Sequence, residues 1–201
     1  MLPVVLGGDH SITESNVRAV AARRGPVGLL HFDTHADTGF EVFGVERSHG
    51  TPMYRLVETG HVEPVRYAQI GLRGYWPTEK EFAWQADRRI STFFMHDVRD
   101  RGIRAVLEDA LAVVAGGPVF VTVDIDVLDP AFAPGTGTPE PGGLTTSELL
   151  WAVREAASRL DLVGADLVEV IPTAVGSADV TALAGERIVR ELLTGLALRR
   201  A

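Results

Sequence analysis

Two short clusters in this sequence gather the residue types that hold divalent cations. Asp33-Thr34-His35-Ala36-Asp37 sets two carboxylates around an imidazole at every second position, and Asp124-Ile125-Asp126 repeats the spacing. In an extended segment, residues i, i+2 and i+4 point to one side, so each cluster is expected to aim its donors together. A further imidazole, His10, follows Gly7-Gly8-Asp9. Carboxylates crowded without counter-charge repel one another and resist ionisation, so such a group calls for cations. Oxygen-rich donor sets with a few imidazoles suit Mn²⁺ better than zinc with its taste for thiolates. The donors His10, Asp33, His35, Asp37, Asp124 and Asp126 exceed what one ion takes from a protein. Two ions are therefore expected, roughly 3.5–4 Å apart and sharing an activated water, and the chemistry is metal-assisted hydrolysis.

Something must carry these donors to one place. Short β-branched runs suggest strands at Val4–Leu6, Val27–Phe32, Arg66–Ile70, Thr92–Met95, Val119–Val123 and Leu162–Val168. Helical periods fill the gaps, with Arg101–Ala115 and Val180–Leu198 the longest. Ser11–Glu14, Thr78–Glu81 and Thr145–Glu148 have the spacing of capping boxes, and Thr51-Pro52 reads as an N-cap before a first-turn proline. Apolar strands alternating with helices predict an α/β fold with a mostly parallel sheet covered on both faces. Such sheets bind ligands beyond the carboxyl ends of their strands. The donor clusters follow the apolar runs directly, as that rule demands. Glu169 also closes a run, with no role that the residues themselves reveal. His31, inside a strand, is expected to pack beneath the donors. His61 and His96 are expected to be structural or exposed, and Asp9 and Asp129 to steady turns.

The balance of 19 basic against 27 acidic residues, net −8, argues against a nucleic-acid partner, which needs a basic face, and against an anionic membrane surface. The absence of cysteine excludes disulfides and thiolate chemistry. The start Met-Leu-Pro-Val-Val lacks the pattern of a secretory signal, and no apolar stretch approaches a transmembrane span. A single domain over residues 1–201 in the cytoplasm is the expectation. The basic residues comprise 18 arginines and one lysine, Lys80, a bias read as genomic composition.

Five motifs together carry a resemblance. Gly7–Ser11 (GGDHS), Phe32–Thr38 (FDTHADT), Ser48–Pro52 (SHGTP), Asp124–Leu144 (DIDVLDPAFAPGTGTPEPGGL) and Val168–Val170 (VEV) resemble, in order, the ureohydrolases, the arginase and agmatinase family of manganese enzymes. The resemblance implies a three-layer αβα fold and two Mn²⁺ ions per chain. One ion would be held by His10, Asp33, Asp37 and Asp124, the other by Asp33, His35, Asp124 and Asp126. It implies hydrolysis of a guanidino compound to urea and an amine by a metal-bridging hydroxide. It further implies that Glu169 pairs with the substrate guanidinium, that His49 moves protons, and that Asp126 also contacts the intermediate. The family's habit of forming homo-oligomers extends to this chain as an expectation.

The motif forms are more similar to those of agmatinases than arginases. Thr38-Gly39-Phe40 lacks the asparagine with which arginases read the substrate carboxylate, so agmatine is the first expected substrate. Guanidinobutyrate or another ω-guanidino acid is the alternative, with Arg47 or Arg55 as possible carboxylate partners that otherwise read as surface residues. The segment Ile171–Ser177 lacks the tyrosine or aspartate many relatives place there. Family members usually carry a further region before GGDHS, so the chain reads as N-terminally shortened. A missing strand there would leave a sheet edge open, and a non-catalytic metal-binding subunit is the rival expectation.

Overall fold

Six apolar runs become six strands in the computed structural model, which describes residues 2–172 and 179–199. They are β1 Val4–Leu6, β2 Val27–Phe32, β3 Val62–Leu72, β4 Ser91–Phe94, β5 Pro118–Asp124 and β6 Asp161–Val168. Between them lie α1 Ile12–Arg24, α2 Pro52–Glu58, α3 Glu79–Asp87, α4 Met95–Val114, α5 Thr146–Arg159 and α6 Val180–Arg199. Every pairing is parallel, and the order across the sheet is β1-β6-β5-β2-β3-β4. The mostly parallel sheet expected from the sequence is thus parallel throughout among these strands. β2 and β5 are entirely or almost entirely buried, as strands covered on both faces must be.

Alternation sorts side chains to two apolar layers. Leu30, Phe32, Val121, Val123 and Leu167 pack with Val106 and Leu107 of α4, Val153 of α5 and Ile188 of α6. Leu29, Tyr67 and Phe120 face the opposite way onto Val17 and Val20 of α1 and Met53 and Leu56 of α2. The result is three layers, helix, sheet and helix. None of the described helices is long and apolar enough to cross a membrane.

The chain runs outward from β2 through β3 to β4, then returns to lay β5 on the other side of β2. Between β2 and β5 the connections diverge, leaving a crevice at their carboxyl ends. That crevice is where a doubly wound sheet binds ligands. Asp33 follows β2 directly and Asp124 ends β5, so both flank it.

The capping boxes expected at Thr145 and Thr78 form, and other local expectations need correction. Thr145 forms its box: its hydroxyl accepts from the Glu148 N–H, and Glu148 accepts from the Thr145 N–H at 2.8 Å. At Thr78 the Glu81 carboxylate accepts from both the backbone N–H and the hydroxyl. Ser11 makes no such box, because Asp9 takes its backbone N–H and its hydroxyl, and Glu14 is drawn to Arg55 instead. Thr51 stands at the N-cap of α2 with Pro52 in the first turn, as expected, but its hydroxyl turns back to Ser48 instead of making a cap hydrogen bond. The helix expected at Arg101–Ala115 begins earlier, at Met95, and breaks at Gly102, whose φ of 79° no α-helix contains. β3 starts four residues before the expected Arg66, across Pro64, and β4 ends one residue before Met95.

Candidate metal centre

Gly7, at the exit of β1, has no side chain and so leaves room for Ile12, whose Cδ1 would stand 2.2 Å from an added Cβ, and His10 follows into the crevice. Its ring is buried, and its Nδ1 lies 2.8 Å from Asp37 Oδ2, 3.1 Å from Asp33 Oδ2 and 3.3 Å from Asp124 Oδ2. Three carboxylates thus surround one nitrogen, yet that nitrogen makes no hydrogen bond of acceptable geometry. Beside it, His35 Nδ1 stands 3.0 Å from Asp126 Oδ2 and 3.6 Å from Asp33 Oδ1. Asp33 faces both histidines, and Asp124 joins the two halves by accepting the Asp126 backbone N–H at 2.9 Å. The structure therefore brings together all six donors expected from the sequence, within one buried patch.

The geometry that does this is not extended. Asp124 ends a strand, but Asp126 sits in a 3₁₀ turn, Ile125–Val127, capped by the Asp124 carboxylate. Asp37 has a left-handed φ of 51°, and so does Glu169, at 62°. Non-glycine residues rarely adopt that conformation, and they persist where surrounding contacts enforce it, as at ligand sites. Gly71, with φ of 116°, belongs to the same construction. An added Cβ there would lie 2.8 Å from the Asp33 carbonyl, so only glycine lets β3 pass so near the donor loop.

Protonation follows from crowding. Burial alone would lower the His10 pKa, but the carboxylates of Asp124, Asp33 and Asp37 outweigh it and raise the pKa well above the ordinary value. His35, opposed by burial but held by Asp126 and Asp33, is pushed up to about 11. Asp33 is buried, which favours its neutral form, yet His31, His10 and His35 hold it well below the usual carboxylate range. Asp124 is raised well above that range by burial and by the charges of Asp126 and Asp33. Burial and Asp33 lift Asp126 to about 6. Without an ion, protons and imidazolium rings supply the positive charge this cluster needs. Divalent cations would replace them, and the buried, oxygen-rich donors fit such ions.

Beneath the donors runs a polar row that sequence reasoning did not find. Strand register lines up Asp166, Thr122, His31, Gln69 and Thr92 across β6, β5, β2, β3 and β4. His31 bonds Asp33 Oδ2 through Nε2 at 2.7 Å and the Tyr67 hydroxyl through Nδ1 at 2.9 Å, matching its expected supporting role. Thr122 Oγ1 meets His10 Nε2 at 2.9 Å. Asp166 accepts from Thr13 and Asn16. Gln69 bonds Gln85, which in turn reaches Thr38. Thr34, also unexpected, donates its N–H to Asp126 Oδ1 and its hydroxyl to the Asp126 carbonyl.

A cavity of about 460 Å³ opens over His35 and Asp37, with His49, Arg73, Thr138 and Glu140 among its walls. His49 is exposed there, its Nδ1 3.3 Å from Ser48 Oγ. Glu169, half-buried, accepts the His10 backbone N–H on Oε1 at 2.8 Å, and its pKa is raised by burial. Arg55 bonds Glu14 at 2.9 Å and Arg47 is exposed; neither lines the cavity. His61 bonds Thr59, and His96 stacks exposed on Phe94, both apart from the donors. Asp129 accepts N–H groups of Ala131, Gly142 and Gly143, the turn-steadying role expected of it. Asp9 does likewise for Ser11. Of the segment Ile171–Ser177, residues 173–177 lie outside the described residues.

Comparison with known proteins agrees with this architecture. The chain is 46% identical over 200 residues to a guanidinopropionase of Pseudomonas aeruginosa, covering 98% of this chain and 61% of that protein. It is 41% identical over 194 residues to a mitochondrial agmatinase of Gallus gallus, covering 96% and 56%. The chain thus spans less than two thirds of the length of these curated relatives. The solved proclavaminate amidino hydrolase of Streptomyces clavuligerus superposes with a TM-score of 0.90 at 36% identity, over 98% of this chain and 64% of that one. A family model described as the arginase family matches residues 1–195, and with a shared fold and this level of identity the chain belongs to that family.

Proposed function

We propose that this chain is a binuclear manganese amidinohydrolase that converts a guanidino compound, agmatine first, to urea and an amine. The observation that carries the reading is His10 Nδ1, buried among three carboxylate oxygens with no hydrogen bond of its own, beside the His35–Asp126 pair. His10, Asp33, Asp37 and Asp124 would hold one ion, and Asp33, His35, Asp124 and Asp126 the other. When bound, such a pair supplies Lewis acidity and makes water a competent nucleophile near neutral pH.

The residues around it have complementary tasks. Glu169, already fixed through the His10 N–H, pairs with the guanidinium and orients its carbon for attack. The bond from water oxygen to that carbon forms, and the bond from carbon to the alkyl nitrogen breaks. His49, exposed at the cavity wall, carries the proton that the departing amine takes up. Asp126 steadies the intermediate. Glu140 offers the cavity a carboxylate, whereas Arg73 spends its guanidinium on backbone carbonyls, so the walls suit a cationic tail such as that of agmatine. A guanidino acid is the second reading, favoured by the relative named guanidinopropionase. A cytoplasmic homo-oligomer without nucleic-acid or membrane partners completes the proposal, resting on the acidic balance and the family's habit.

Manganese loading followed by a urea-release assay tests it. Two ions per chain are expected, with the highest kcat/KM on agmatine among agmatine, 3-guanidinopropionate, 4-guanidinobutyrate and arginine. Preference for an acid would move the assignment to the second reading. A folded, loaded protein that releases no urea from any of them would be a metal-binding subunit instead.

A further inference from the structure

We propose that Arg73 is a positioning residue of this site, a clamp that locks the Asp126 turn and the cavity wall to the exit of β3. Arginine normally keeps its head in water or on a carboxylate. Here the guanidinium is spread over backbone carbonyls from three separate segments. Nη1 donates to Gly71 at 3.1 Å and Val127 at 3.3 Å. Nη2 donates to Asp126 at 2.9 Å, Leu128 at 3.3 Å and Glu140 at 2.6 Å. Nε donates to Glu140 at 3.0 Å and Pro141 at 3.2 Å. The backbone is anchored as well, since the Arg73 N–H donates to the Thr34 carbonyl at 3.1 Å.

Two consequences follow from where those carbonyls lie. The Asp126 carbonyl is held jointly by Arg73 and by Thr34 Oγ1 at 3.0 Å, which fixes the backbone of the 3₁₀ turn while the Thr34 N–H holds its carboxylate where it faces His35. The Glu140 and Pro141 carbonyls hold the far side of the loop whose Thr138 and Glu140 line the cavity. One side chain therefore couples a donor of the proposed second ion to the wall that faces substrate. Among the described residues, Arg73 makes no hydrogen bond to His10, Asp37 or Asp124. Room for the clamp is made by Gly143, where an added Cβ would stand 2.6 Å from Arg73 Nη2 and 2.5 Å from the Asp129 nitrogen. Only a planar fork with five N–H donors can span these acceptors; a lysine ammonium presents three donors from one point.

The role toward the ions rests on the binuclear reading, so the test keeps the two apart. Arg73→Lys retains charge and stem, and Arg73→Gln serves as the second variant. In manganese titrations one of the two ions should bind about 10- to 100-fold less tightly in both variants, as loss of an outer support does, with the other ion unchanged. Urea release should show lower kcat and higher KM together. Hydrogen exchange read by mass spectrometry should accelerate at residues 126–144 while β2 and β5 stay protected. Unchanged exchange overturns the clamp, and faster exchange with both affinities and kcat unchanged overturns its role at the site. If wild-type protein bound no manganese and released no urea, the binuclear reading would fall, and exchange in the variants would still decide whether Arg73 locks the loop.

Discussion

At His10 one ring meets three carboxylates and a hydroxyl, and the backbone of the same residue meets a fourth carboxylate. Its Nδ1 faces Asp33, Asp37 and Asp124, its Nε2 meets Thr122, and its backbone N–H is given to Glu169. A metal-binding imidazole must be neutral, with the proton on the nitrogen away from the ion, and the partner of that nitrogen decides the tautomer. Thr122 is that partner. Thr122→Val keeps the shape and removes the acceptor, so manganese affinity should fall about 10- to 100-fold with the fold intact, as read by titration and circular dichroism. Equal affinity in the variant would show that the hydroxyl does not orient the ring. Asp124 bears a heavier demand, since both proposed ions share its charge. Asp124→Asn should abolish urea release, whereas His61→Ala, whose ring bonds Thr59 away from the centre, should leave it nearly unchanged. Equal loss in both variants would mean that the assay reads folding, not chemistry.

At the scale of elements, what was legible in the sequence is what residue type announces. Asp, His and Glu at the ends of apolar runs mark strand exits, and β1 and β2 begin and end where the β-branched runs do. The supporting row was not legible, because Thr122, Gln69 and Asp166 become neighbours only through the register of separate strands, which alternation along one strand does not encode. The period-two spacing of Asp124 and Asp126 implied an extended segment, whereas a 3₁₀ turn brings both carboxylates inward. Caps show the same limit. Ser11 and Thr145 have the same local pattern, but Asp9 competes for Ser11 while nothing comparable precedes Thr145. Thr145→Ala should therefore cost about 1 kcal/mol in urea denaturation, and Ser11→Ala only a few tenths. The reverse order would mean that the α1 terminus depends on the serine after all.

For the whole molecule the acidic excess changes meaning. Of the residues behind the net charge of −8, Asp33, Asp37, Asp124 and Asp126 are buried in one crevice, where no solvent screens their repulsion. The two layers of apolar packing that hold β2 beside β5 also hold these carboxylates together, so the fold is stabilised against a cost located at the candidate metal centre. Ions that bind only the folded chain relieve that cost by mass action, by about 2.7 kcal/mol for a single site at 100-fold excess over its Kd. For a chain of this length each kcal/mol moves the midpoint by about 2–4 °C. Each site filled at that excess should thus raise Tm by roughly 5–10 °C, so two ions should give about twice that, and a chelator should reverse the shift. The Asp124→Asn variant, lacking the shared donor, should show a much smaller rise, while its metal-free form should melt no lower than the metal-free parent because a neutral amide avoids the cost of ionising a carboxyl beside Asp33 and Asp126. Scanning calorimetry of both proteins with and without manganese checks all four values. A parent whose Tm ignores manganese would show that these buried carboxylates are balanced by protons alone.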